Sequence, residues 1–149
     1  MVAATWRFWV ASIAFVLLFP AAARSEEVQL CDQRVHYKPV GASPDIQGVW
    51  LGRLTMSALY FVCVGLAVEG PDDPETNAVV VWNSSTSGND MRNVAALGTR
   101  SVKITRQPDG SYTFGNYRLR REGNQLVGKF RDRSSGGYYD VSLTQLSSR

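Results

Sequence analysis

The chain has 149 residues, 44% of them apolar, and a formal net charge of +3, which suffices for one packed domain and is too little for two. Its 16 basic and 13 acidic residues nearly cancel, so overall basicity points to no partner. Two cysteines and a single histidine, His36, leave a metal centre short of ligands.

The amino terminus carries one positive charge, Arg7, and an apolar run from residue 8 to residue 19 broken only by Ser12. Pro20 and the small residues Ala21, Ala22 and Ala23 follow at once, which is the three-part layout of a cleavable secretory signal. The run falls short of the about 20 apolar residues that span a bilayer. Small side chains at Ala21 and Ala23, or at Ala23 and Ser25, place the mature start at Arg24 or Glu26. The expected plan is a signal peptide over residues 1–25, a lead-in over 26–46 and a β-barrel domain over 47–149, with the product in the periplasm or secreted and no membrane span left after cleavage.

Cleavage before Glu26 removes Arg7 and Arg24 and lowers the net charge to +1. Residues 26–99 then hold 4 basic and 9 acidic side chains, and residues 100–149 hold 10 basic and 4 acidic. Either the two halves neutralise each other in the fold or one surface is basic.

Residues 26–45 show no sustained period and are punctuated by Pro39, Gly41 and Pro44, so they read as an irregular lead-in with one short strand around 35–37. Cys31 and Cys63 stand 32 residues apart in an exported chain. That spacing excludes a dithiol redox motif, and one disulfide tying the lead-in to the second strand is the economical reading.

Strands follow at meander spacing over residues 47–54, 58–68, 78–83, 99–106, 111–114, 117–121, 125–131 and 138–146. The second is apolar on both faces, with Tyr60, Val62, Val64, Leu66 and Val68 opposite Phe61 and Cys63. A strand of that kind is covered on both sides, so the lead-in is expected to lie over its outer face. Residues 70–75 read as an acidic turn. The polar stretch 84–98 is undecided, with room for a helical turn at 91–97. Turns at Pro108-Asp109-Gly110, Gly115-Asn116, Glu122-Gly123-Asn124 and Ser134-Ser135-Gly136-Gly137 supply the residues that positive φ angles demand. Eight short antiparallel strands close into an all-β up-and-down barrel, which removes exposed edges; a two-sheet sandwich is the alternative.

Catalytic patterns are sparse. The thiols are committed to the disulfide, His36 sits in the lead-in, and no G-x-S-x-G elbow occurs. The acids cluster in turns at Asp72, Asp73, Glu75, Asp109 and Glu122, so no enzyme is expected; a small hydrolase built on His36 is the further alternative. Asn83-Ser84-Ser85 has the form of an N-glycosylation acceptor. No cofactor or metal is expected, and the chain reads as a monomer.

Two residue sets stand out as candidate binding groups. Trp50, Tyr60, Trp82 and Tyr112 would face a ligand held inside or at the end of the barrel, although the bulk of the inward set argues for a filled interior. Arg118, Arg120, Lys129 and Arg131 alternate with apolar neighbours, so hairpin pairing of 117–121 with 125–131 would gather them on one outer surface for a phosphate-bearing or acidic partner.

Gly48-Val49-Trp50 resembles the Gly-x-Trp of the first barrel strand of lipocalins and their calycin relatives, which implies a small carrier barrel. With Cys63, Pro108-Asp109-Gly110 and the late hairpins, it also looks like the compact periplasmic inhibitors of proteases and lysozymes in bacteria, which act through an extended amino terminus or a surface loop. Gly48-x-Trp50-x-Gly52 and Leu126-x-Gly128 are similar to short exported β-domains of unassigned function. The expectation is therefore a non-catalytic exported protein that binds a protein, a glycan or a small apolar ligand, with inhibition of a protease or lysozyme as the alternative; no nucleic-acid signal stands out.

Expression in a secreting host should yield a chain whose intact mass starts at Arg24 or Glu26; a secreted product still carrying residues 1–23 would overturn the signal reading.

Overall fold

The computed structural model describes residues 24–40, 45–58, 60–70, 74–86 and 98–146. The segment up to residue 23 expected as a signal, the centre of the acidic turn expected at 70–75 and the helical turn expected at 91–97 lie outside them. The described chain is all β. Two strands, β1 (Glu26–Leu30) and β2 (Gln33–Tyr37), form a separate hairpin. Eight more follow: β3 (Gly48–Thr55), β4 (Tyr60–Val68), β5 (Glu75–Thr86), β6 (Gly98–Arg106), β7 (Tyr112–Phe114), β8 (Tyr117–Glu122), β9 (Gln125–Arg131) and β10 (Tyr138–Leu146). Each pairs antiparallel with its sequence neighbour and β10 returns to β3, giving the closed eight-stranded barrel.

The alternating pattern sorts the side chains. Trp50, Leu54, Val62, Val64, Leu66, Val80, Ile104, Tyr112, Phe114, Leu119, Leu126 and Leu143 fill the interior, with Trp82, Val102, Tyr117, Phe130 and Tyr139 half-buried at its margins. Two glycines let so small a barrel bend. A Cβ on Gly52 would collide with the Ser142 carbonyl, and one on Gly128 with the Arg118 carbonyl, so these inward positions accept no side chain.

The lead-in departs from its expected irregular form. Leu30 pairs with Gln33 across a two-residue turn in which Cys31 and Asp32 have φ of 47° and 62°. Two consecutive positive φ angles are those of a type I′ hairpin turn, which normally recruits Asn or Gly. Here neither is present, so Asp32 is the one turn signal in the sequence there. The hairpin lies on the outer face of the barrel, where Leu30, Val35 and Tyr37 pack with Val49, Ala67 and Val81. Gly65 makes the contact close: a Cβ there would sit 2.7 Å from Leu30 Cβ. The Cys31–Cys63 disulfide, with Cα atoms 5.6 Å apart, joins the turn to β4.

Polar contacts complete the attachment. Gln33 Nε2 donates to the carbonyls of Trp82 and Gly98, 3.1 Å each, and Thr99 Oγ1 donates to Gln33 Oε1 at 2.6 Å. Asn83 Nδ2 donates to Asp32 Oδ2 at 3.2 Å. The asparagine of the glycosylation-like triplet is thus engaged with the hairpin turn.

One barrel end is shut by the chain entering β3. Trp50 Nε1 donates to Ile46 O at 2.8 Å, Tyr112 Oη to Asp45 Oδ2 at 3.3 Å, and Gln145 Nε2 to Gln47 O at 3.2 Å. The Arg121 guanidinium stands 5.6 Å from the Trp50 ring centroid.

Because the disulfide closes a 32-residue separation, replacing both cysteines by serine is expected to lower stability by about 3 to 4 kcal/mol in the chain-entropy account, read as a reduced urea midpoint. A loss below about 1 kcal/mol would mean that the apolar and amide contacts of the hairpin hold it unaided.

Candidate functional site

The four candidate aromatics do not share one site. Trp50 is fully buried and Tyr112 nearly so, both bonded to the 45–46 segment at the shut end. Tyr60 begins β4 and Trp82 lies late in β5, so both belong to the opposite end, where Tyr60 is exposed and Trp82 half-buried. The Trp82 indole lies over Gly98, where any Cβ would overlap the ring. At this second end Tyr117 stacks on Phe114 with centroids 4.8 Å apart and meets Phe130 at the same distance. Burial pushes the Tyr117 phenol up to about 12. The interior between the two ends is occupied by apolar side chains.

The basic residues are placed more informatively. Arg118 and Lys129 are direct cross-strand partners of β8 and β9, and Arg131 is the partner of Tyr138 across β9 and β10. All three line an open groove of about 700 Å³ on the outer face, together with Asn116, Arg133 and Tyr138. Arg120 points to the same outer surface but does not line the groove; it pairs with Glu122 at 2.7 Å beside the β8–β9 turn.

Two like charges directly opposite each other repel, and the fold answers with a carboxylate on either side. Arg118 meets Asp109 at 2.6 Å, and Lys129 meets its β10 neighbour Asp140 at 2.6 Å. Arg131 has no carboxylate within ion-pair reach among the described residues, and its guanidinium lies 5.9 Å from the Tyr138 ring centroid. Arg133 has none either, its Nε donating to Asn116 Oδ1 at 2.9 Å. Tyr138 is 64% exposed, the most exposed large apolar side chain described.

Two carboxylates hold tight turns near these cations: Asp132, which lines the groove, and Asp109, which lies outside it and pairs with Arg118. Ser111 donates to Asp109 Oδ1 from its hydroxyl at 2.6 Å and its backbone N–H at 3.0 Å. Ser135 Oγ donates to Asp132 Oδ2 at 2.7 Å, and Ser134 N donates to Asp132 Oδ1 at 2.9 Å. These hydrogen bonds favour the ionised form, and both carboxyls are lowered to about 2, Asp109 with help from Arg118.

The remaining chemistry-bearing groups lie elsewhere. His36 is on the outer hairpin, 3.3 Å from Glu27 Oε2, with no nucleophile bonded to it. Among the described residues no three His, Cys, Asp or Glu side chains gather in a metal-holding arrangement. No helix is long and apolar enough to cross a membrane among those residues.

The sequence identified the four cations but not their partners. Counting back from the Ser134–Gly137 turn pairs residue 131 with 138 and 129 with 140, which would have exposed both the Arg131–Tyr138 contact and the Lys129–Asp140 ion pair. The Arg118–Asp109 pair, spanning two strands, carried no such signal. Compared with protein-family models, with curated proteins and with solved structures, the chain has no match in any of the three.

Asp109 and Asp132 should titrate with midpoints of about 2, against about 3.9 for a free aspartate, in carboxyl carbon shifts followed by NMR. Since the folded values lie below the unfolded one, these turns keep their full contribution above pH about 4 and lose it as pH falls toward about 2. Ser111→Ala should raise the Asp109 midpoint; an unchanged value would contradict the hydrogen-bond assignment.

Proposed function

We propose that this chain is an exported, non-catalytic binding protein of calycin-like build that takes an anionic partner on the outside of its barrel, in the groove over β7, β8 and β9. The observation carrying this reading is the pair of guanidiniums, Arg131 and Arg133, that have no carboxylate partner among the described residues and line the groove with an exposed tyrosine. A fixed arginine supplies a planar fork for carboxylate or phosphate, and an aromatic face beside it adds area at low entropic cost. Export is supported by the amino-terminal signal pattern together with a disulfide, which persists in oxidising compartments.

The filled interior weighs against a carrier of apolar ligands, since bulky side chains occupy the space such a ligand would need. Inhibition of a hydrolase through the lead-in is disfavoured for a different reason. Residues 26–37 are fastened to the barrel by a disulfide and by Gln33, so they are poorly placed to enter a cleft. An acidic polypeptide and an acidic polysaccharide share the carboxylate chemistry that the groove would recognise.

Calorimetric titration with poly-L-glutamate and, separately, polygalacturonate distinguishes the two sources. At least one polymer is expected to bind, more weakly as salt rises. Arg131→Glu/Arg133→Glu should weaken that binding by about tenfold or more, whereas Arg120→Glu, outside the groove, should leave it within about twofold. Absence of binding by both polymers, or equal losses in the two variants, would refute the groove.

A further inference from the structure

We infer that Cys63 is a site of thiol–disulfide exchange, reached through a second outer groove over β3, β4 and β10, and that the thiol it takes is a small mercapto-carboxylate. The inference stands on the disulfide and its surroundings, so failure of the cationic groove leaves it standing.

Sheet register gives Cys63 two unlike neighbours. On β4 it is paired with Asn83 of β5 on one side and with Arg53 of β3 on the other. The hairpin turn lies on the β5 side, where Asn83 Nδ2 donates to Cys31 O at 3.4 Å and to Asp32 Oδ2 at 3.2 Å. The β3 side is open. There Leu51, Arg53, Phe61, Cys63, Ser142 and Thr144 line a groove of about 480 Å³ that shares no residue with the cationic one.

The two sulfurs are therefore unequal. Cys31 is buried at 8% exposure, whereas Cys63 is half-buried and lines the groove. A disulfide is opened by a thiolate that approaches one sulfur from the side away from the other, and access decides which sulfur is attacked. A thiolate entering over Arg53 meets Cys63 from the side away from the Cys31 turn. The opposite approach, toward Cys31, meets the hairpin.

Charge separates them further. Arg53 is exposed and has no carboxylate within ion-pair reach among the described residues. Asp140 shares its outer face, across from Thr55, but Lys129 holds that carboxylate at 2.6 Å. Asp32, beside Cys31, repels an anion at the other sulfur. Directly opposed residues place their Cβ atoms about 4.5 to 5.5 Å apart, so a small molecule can set a carboxylate on the Arg53 fork while its sulfur reaches Cys63. In the exchange the incoming sulfur bonds to Cys63 Sγ and the Cys63–Cys31 bond breaks. The electron pair leaves on Cys31, which takes a proton from water. The product is a mixed disulfide on Cys63 and a free thiol on Cys31, with no other oxidant or reductant consumed.

The test treats the folded, bridged protein with mercaptoacetate and, separately, with 2-mercaptoethylamine. Each rate is taken per thiolate and relative to the same thiol's rate on a small neutral disulfide. Acid quenching, alkylation and peptide mass mapping then locate the adduct. Mercaptoacetate should react faster by about threefold or more and mark Cys63 at least about tenfold more often than Cys31. Arg53→Glu, an exposed change, should reverse the order of the two thiols, and Arg120→Glu, remote from the groove, should leave it unchanged. Both rates should stay flat in urea well below the unfolding midpoint, as attack on the folded state requires. Adducts mainly or equally on Cys31 would overturn the inference. So would an order of thiols that Arg53→Glu does not alter or that Arg120→Glu alters equally, rates that climb with urea, or a folded protein inert to both thiols.

Discussion

A strand that is apolar on both faces cannot belong to an ordinary small barrel, and β4 is such a strand. Its inward side chains Val62, Val64, Leu66 and Val68 complete the interior, while Gly65, Ala67 and Cys63 on the outward side form an apolar bed that water would otherwise cover. Burying one leucine is worth about 1.5 to 3 kcal/mol, and Leu30 is fully buried in that bed. The amino-terminal hairpin is therefore a second layer of the domain. Its turn holds Cys31 and Asp32 at positive φ, a conformation uncommon for side-chain-bearing residues. The disulfide and the Asn83 contacts act at that turn, offsetting the local cost with tertiary bonds.

Covering β4 from outside has a directional consequence. The hairpin clamps β5 and β6 at the Trp82–Gly98 pair through Gln33, so the aromatic end of the barrel is positioned by a segment that is not part of the barrel. Gly98 accommodates the Trp82 indole at the same place, and β6 leaves that clamp already committed to β5. The short β7 then reaches β6 only at its far end. Uneven closure follows from geometry: a three-residue strand cannot cover a nine-residue neighbour. The shut end, with Trp50, Asp45 and Arg121, and the open margin beside β7 are opposite outcomes of one arrangement.

Much of this is legible in the sequence. The barrel strands and their Gly- and Asn-bearing turns follow from period-two patterning and turn chemistry, which are local properties. The cysteine pairing follows from the count of two and from the export expected of the amino-terminal pattern. The hairpin does not, because Cys31-Asp32 is a turn without glycine or asparagine and its apolar alternation, Val28 and Leu30 against Val35 and Tyr37, is only a few residues long. Period-two alternation alone does not say whether Trp50 or its neighbours Val49 and Leu51 face inward, since all three are apolar. The answer lies in the hairpin, which covers Val49 and Leu51 from outside and leaves Trp50 the interior. For the basic set, alternation indicates a shared face, but partners depend on register and on chain reversals several residues away.

The polarity of the chain, acidic in front and basic behind, resolves unequally in three dimensions. Asp45 meets Arg106 at 3.3 Å and Glu75 meets Lys103 at 3.4 Å, so the halves do neutralise each other where the early strands approach β6. Farther round the barrel the basic half is answered from within itself, by Asp109, Glu122 and Asp140. That half holds only four acids. The fourth, Asp132, spends its oxygens on Ser134 and Ser135 in the β9–β10 turn. Among the described residues no carboxylate is left for Arg131 and Arg133, and exposed ion pairs of the kind that neutralise their neighbours contribute little stability. Leaving these two guanidiniums without a carboxylate among the described residues costs the fold almost nothing and keeps positive charge beside Tyr138. The fold therefore tolerates their residual charge without requiring it, and a surface charge of that kind is free to serve recognition.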